Sequence, residues 1–191
     1  MILKYGNITL RPIERKDSEL LRLMINSPEV EEMTENWNVP VSSYNQDKWI
    51  ENYKDSHEMI RWMIELDNGT TIGMVSFFDI NWITRRASIS YKINPFETNR
   101  LKGDTKNAVY IAVKYAFDEM GLHRIESVIL SFNIMSIKLT ESVGFVKEGV
   151  FRARILKNGK WCNQVFYGLL EDEFKRYEDG TAPWQVSKKK V

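Results

Sequence analysis

Two periods of apolar and polar residues alternate along this chain, and the switches between them lay out most of its elements. RASISYKI (86–93) reads as a strand closed by Asn94-Pro95, and a polar loop, FETNRLKGDT (96–105), follows it. The clearest helix comes next, with Val109, Ala112, Val113, Ala116, Phe117 and Met120 at three- and four-residue spacing. Gly121 stands where a helix ends at positive φ. RIESVILSF (124–132) is a second apolar strand, and Asn133 caps a short helix that ends before Gly144-Phe145. One crossover joins the two strands, which therefore run parallel. The loop then falls at the carboxyl end of the first strand and the amino end of the long helix. Open N–H groups and the helix dipole favour an anion there, and Gly103 lets a phosphate approach the backbone.

The flanking segments fit around this unit. Ile8, Leu10 and Pro12-Ile13 make a short first strand, and Asp17 or Ser18 opens a helix with Leu20, Leu21, Leu23 and Met24 on its apolar face. Pro28 ends that helix or turns the chain. PEVEEMTENWNVP (28–40) is strongly acidic, with Glu29, Glu31, Glu32 and Glu35, and reads either as a solvated helical face or as a wall that attracts cationic amines. A second helix, about 44–56, carries Trp49, Ile50 and Tyr53. Strands 59–66 and 71–80 flank the hairpin turn Asp67-Asn68-Gly69-Thr70, and strands 145–156 and 161–170 flank Lys157-Asn158-Gly159-Lys160. A surface helix over 171–180 and a mobile tail complete the chain.

Composition excludes more than it selects. The 191 residues suit a single domain, with 43% hydrophobic and 28% charged residues. A net charge of +1 gives no general attraction to nucleic acid or to an anionic membrane. No apolar run approaches the ~20 residues of a membrane span, and a lone cysteine, Cys162, agrees with a reducing cytoplasm. His57 and His123 have no ligand partner at metal-site spacing, so no metal is expected.

Arg100-Leu101-Lys102-Gly103-Asp104-Thr105 resembles the pyrophosphate loop of the GNAT N-acetyltransferases. YAFDEMGLHRIESVI (115–129), Asn133-x-x-Ser136 and GFVKEGVFR (144–152) resemble the branch containing the ribosomal-protein N-terminal acetyltransferases. The resemblance implies an α/β (α+β) fold with one domain over 1–177 and a tail over 178–191. It implies a mixed sheet of about seven strands, helices on both faces and a parallel pair splayed at the cofactor site. It further implies acetyl-CoA as co-substrate, a small-molecule or peptide amine as acceptor, and direct attack without a covalent nucleophile. A homodimer is compatible with it.

Site residues follow on the same footing. The loop residues 100–105 would hold the pyrophosphate, and the main-chain N–H groups of Tyr91 and Ile93 would hold the pantetheine arm and the thioester oxygen. Asp104 would repel a pyrophosphate, or else cap the helix and compete for the same amides. Asn133 and Ser136 read as a helix cap with a first-turn hydroxyl, or as a cofactor hydrogen bond and the proton for the thiolate. Thr140 stands where many relatives have a tyrosine, which leaves Ser136, Tyr167 or water as the acid. Ser88 and Asn163 replace the carboxylates expected of a base, which leaves Glu148, Asp79 or a water chain. Glu31 and Glu32 would line the amine pocket. Loss of those two carboxylates keeps a second class open, a degenerate member that binds a CoA-like ligand, or none, and serves as a binding or regulatory module without catalysis.

Overall fold

The computed structural model describes residues 1–35, 39–54, 56–98 and 101–180. One eight-stranded sheet runs in the order β1-β2-β3-β4-β5-β6-β8-β7. Its first half, β1 (Leu3–Tyr5), β2 (Ile8–Arg11), β3 (Ile60–Leu66), β4 (Thr71–Asn81) and β5 (Arg86–Ile93), is antiparallel throughout. So is its second half, β6 (Arg124–Leu130), β8 (Lys160–Leu170) and β7 (Val146–Lys157). β5 and β6 meet in parallel, as one crossover requires. The sheet has one strand more than its sequence pattern predicts. β1 is three largely exposed residues turned back by Gly6 at φ +57°, too short to show a period.

Helices cover both faces. α1 (Ser18–Ile25), α2 (Pro28–Glu32) and α3 (Ser43–Asn52) lie on one side, and α4 (Asp104–Asp118) and α6 (Glu171–Glu178) pack on the other. α4 buries Ala108, Val109, Ile111, Ala112, Val113, Ala116 and Phe117, nearly the stripe its spacing predicts. Each large apolar side chain removed from water contributes about 1.5–3 kcal/mol. Small Ala108, Ala112 and Ala116 let the helix settle close to the sheet, while Tyr115 meets Trp62 of β3 edge-on at 5.8 Å. Gly121, at φ +65°, turns the chain out of the helix into β6.

Arg11 anchors α1 to the sheet. Its guanidinium donates to both carboxylate oxygens of Asp17 at 2.8 Å, and also to Glu65 of β3. Arg11 and Asp17 are buried, so breaking this pair would strand a charge at a cost of about 3–5 kcal/mol. α2 is only five residues long, with Pro28 at its first turn. Among the described residues of the acidic segment, only Pro28–Glu32 are helical. Arg100 and the tail from 181 lie outside the described residues.

Candidate active site

The pairing of β5 with β6 covers only three residue pairs, Arg86 with Arg124, Ala87 with Ile125 and Ser88 with Glu126. Beyond them the strands part. β5 stays with β4, where the Asn94 N–H donates to the Ile72 carbonyl at 2.8 Å. Successive N–H groups of a strand point to opposite edges. With Asn94 bonded to β4, the amides of Tyr91 and Ile93 face the gap.

α5 (Ile134–Ser142) begins at the same gap. The Asn133 Oδ1 accepts the Ser136 N–H at 3.1 Å, the cap that N-x-x-S predicts. The Nδ2 of Asn133 donates to the Met33 carbonyl at 3.3 Å, which ties the end of α2 to the start of α5. Between them lies a cleft of about 200 Å³, with Glu29, Val30, Met33 and Thr34 on one bank and Tyr91, Lys92, Ile93, Asn133 and Ser136 on the other. The Tyr91 hydroxyl donates to the Ser136 carbonyl at 3.1 Å and lies 3.2 Å from Thr140 Oγ1. Burial holds that phenol above its ordinary pKa. Tyr91 thus brings a hydroxyl to the position where the chain itself has Thr140, and sequence reasoning had used Tyr91 only for its main chain.

At the head of α4, Gly103 adopts φ +110°, and none of the described residues stands within 4 Å of where a Cβ would be. Asp104 is buried: its Oδ2 accepts the Leu101 N–H at 2.7 Å and its Oδ1 accepts the Asn7 amide at 3.0 Å. The carboxylate therefore takes one of the amides a phosphate would use. The first-turn amides of Thr105 and Lys106 have no intrahelical partner. Lys102 lies exposed beside them.

Glu148 is not brought to this cleft. It sits beside Gly168 at the paired end of the junction, with both carboxylate oxygens bonded to Arg124. That bonding lowers its pKa and makes it a weaker base. Asp79 also lies at that end, on the irregular turn of β4 at φ +52°, lining a larger depression of about 520 Å³ with Lys54, Glu58 and Arg86. The depression is polar and does not open on the gap. Tyr167 donates to Glu141 at 2.8 Å, and burial pushes its pKa up to about 12. The acidic wall is partly neutralised: Lys157 donates to the Glu31 carboxylate at 2.6 Å, and the Gln164 amide to Glu35. Glu32 is exposed and does not line the cleft, whereas Glu29 does.

Lys92 is the residue that sequence reasoning passed over. Strand alternation sets it on the face opposite Tyr91 and Ile93, in register with Met74 and one step from Ser76 and Arg61. A lysine inside an otherwise half-buried strand was the available signal. Burial, and then nearby Arg61, lower its pKa.

A mixed sheet parted at its parallel junction, with inward amides on one bank and a helix amino terminus beyond, has the shape to take an extended ligand with an anionic end. The family model of the acetyltransferase (GNAT) domain matches residues 7–146, and the chain belongs to that family. Among its relatives, the uncharacterized N-acetyltransferase YokL of Bacillus subtilis is 28% identical over 88% of this chain and 93% of its own length. A spermidine N(1)-acetyltransferase of Vibrio cholerae is 28% identical over 88% of this chain and 96% of its own. The crystal structure of the Vibrio cholerae spermidine N-acetyltransferase in complex with CoA and spermine superposes with a TM-score of 0.81 at 23% identity, over 90% of this chain and 99% of that one. The protein is an acetyl-CoA-dependent N-acetyltransferase.

Proposed function

We propose that the chain passes an acetyl group from acetyl-CoA directly to a primary amine, both bound at once, with no covalent enzyme intermediate. The parted β5–β6 junction carries this reading: two amides face a gap that no strand fills. The residues present fit the donor. Gly103 offers open space at a left-handed position, and Thr105 and Lys106 offer amides at a helix amino terminus. Acetyl-CoA supplies the thioester carbon that the amine attacks and a sulfur that leaves as thiolate. The Tyr91 and Ile93 amides would orient that arm and stabilise charge on the thioester oxygen. The Asn133 side chain fixes the mouth. The Ser136 hydroxyl, or the Tyr91 hydroxyl beside it, would protonate the leaving sulfur. With Glu148 held by Arg124, the ammonium proton leaves through water.

A thermal shift with acetyl-CoA, followed by thiol release across an amine panel, tests this. Initial rates at several concentrations of both substrates should give intersecting reciprocal plots. Parallel plots would indicate a covalent intermediate and overturn the direct-attack reading. The relative named for spermidine makes polyamines an early choice of amine. The hold of Asp104 on the Leu101 amide favours one other reading, a binding module without catalysis. That reading requires a thermal shift and no thiol release with any amine.

A further inference from the structure

We infer that the acceptor carries an oxyanion, a carboxylate or phosphate a few bonds from its amino group, which pairs with Lys92 in the cleft. The inference rests on the acetyl-transfer reading and names the substrate class of that site. Lys92 lines the cleft beside Tyr91, Ile93, Asn133 and Ser136. It lies on the side of β5 away from α4, and so away from the phosphate end of the donor. Among the described residues no carboxylate pairs with it. Glu29 lines the same cleft from α2 but lies beyond ion-pair distance, Glu31 is bonded to Lys157, and Glu35 to Gln164. The charged neighbour that acts on Lys92 is another cation, Arg61, whose guanidinium stands 5.6 Å from the Tyr53 ring centre and 5.9 Å from that of Trp49. A half-buried cation beside a second one is costly until an anion arrives.

The chemistry points the same way. Attack on the thioester builds positive charge on the acceptor nitrogen, and an uncompensated ammonium nearby opposes that charge. An acceptor that brings its own oxyanion to Lys92 removes the opposition. A polyamine instead brings further cations to the same bank. Burial and Arg61 both lower the Lys92 pKa, as expected of a cation awaiting its partner. One carboxylate, the exposed Glu29, does not reverse this balance.

The test compares four acceptors at saturating acetyl-CoA and low ionic strength: 4-aminobutyrate, phosphoethanolamine, n-butylamine and spermidine. The two anionic amines should exceed n-butylamine in kcat/KM by about tenfold or more, with spermidine lowest. The ratio of 4-aminobutyrate to phosphoethanolamine tells carboxylate from phosphate. Lys92→Met keeps the length of the side chain and should level the series, and Lys92→Gln should do the same. Acetyl-CoA affinity, measured by calorimetry, should not move in either variant. A wild-type preference for spermidine, survival of the anionic preference in Lys92→Met, or a loss confined to acetyl-CoA affinity would each overturn the inference. Should none of the four release thiol, calorimetric binding of 4-aminobutyrate to the CoA-saturated protein decides. Binding that vanishes in Lys92→Met upholds the oxyanion site and sinks the transfer reading; binding indifferent to Lys92 sinks the site.

Discussion

The two ends of the β5–β6 junction are built from similar residues and arranged for opposite ends. At the paired end, Arg86 bonds Glu126, and Arg124 bonds both Glu126 and Glu148. Two guanidinium groups meet two carboxylates, and each group is satisfied. At the parted end, four residues beyond the last pair at Ser88, Lys92 has no carboxylate among the described residues, and the amides of Tyr91 and Ile93 have no strand. The paired end is partly exposed, so each of its ion pairs contributes at most about 1 kcal/mol. Its role is to hold the register of two strands that share only three residue pairs. The parted end holds nothing together; its open groups are what a ligand would meet. Satisfied polar groups fix a structure, and unsatisfied ones at an opening mark where it acts.

The comparison is tested hardest at the parted end. If the proton for the thiolate comes from that bank, one of Ser136→Ala and Tyr91→Phe should lower kcat by about 100-fold, the lower bound usual for a lost general acid. Acetyl-CoA affinity should hardly change in that variant, because the interaction matters at the transition state. The other variant should fall only a few-fold, and equal small losses in both would leave the proton to water. Next in size is the head of α4. Gly103→Val must strain a backbone at φ +110° and fill the open space beside it, so acetyl-CoA affinity should fall about tenfold by calorimetry. Asp104→Asn should raise the same affinity a few-fold by removing a like charge and freeing the Leu101 amide. Its Tm should drop, since Leu101 and Asn7 both lose their carboxylate partner.

At the paired end the expected response is structural. Arg124→Ala leaves Glu126 and Glu148 facing each other and should lower stability by about 1–2 kcal/mol in urea unfolding, discounted for the exposure of the group. The turnover of the protein that remains folded should be unchanged. A large fall in kcat with normal stability would return Glu148 and its partner to the chemistry and erase the contrast between the two ends.

Periodicity carried most of the fold because most of the elements are amphipathic. The α4 stripe, both Asn-Gly hairpins and the Asn133 cap are local signals, and the structure places all of them where the residues predict. β1 was not legible, because three exposed residues have no pattern and pair only through β2. At the site, Gly103 stands at the head of α4, and Tyr91, Ile93, Asn133 and Ser136 line one cleft, as their motif spacing suggests. Charge partners are non-local and escape it: Glu148 finds Arg124 24 residues away and Glu31 finds Lys157 126 residues away. Lys92 escaped for the same reason. That a lysine lacks a carboxylate partner among the described residues is a property of the packed chain, not of RASISYKI. The likeness to the ribosomal-protein branch has its counterpart in one partial relative, while a relative over most of the chain is named for spermidine.

The smallest expected effect separates the two ends by pH. Arg124 holds the Glu148 carboxyl below its ordinary value of 4.5. The unfolded chain therefore binds the proton first, and the stability from this pair is present above about pH 4.5 and lost as pH falls through the lowered folded value. Lys92 is also lowered, from 10.5, but here the charged form is the penalised one. Between its folded value and 10.5 the unfolded chain binds more protons than the native chain, so this group makes stability rise with pH across that alkaline window. Tyr91 works against it from about pH 10 upward, because its raised pKa lets the unfolded chain lose the phenol proton first. The measurement is the difference in unfolding free energy between Lys92→Met and the parent chain, followed upward from neutral pH. The variant should be the more stable at neutral pH, with the gap closing as pH rises. A gap independent of pH would mean that Lys92 is already compensated, and that the parted end is no less satisfied than the paired one.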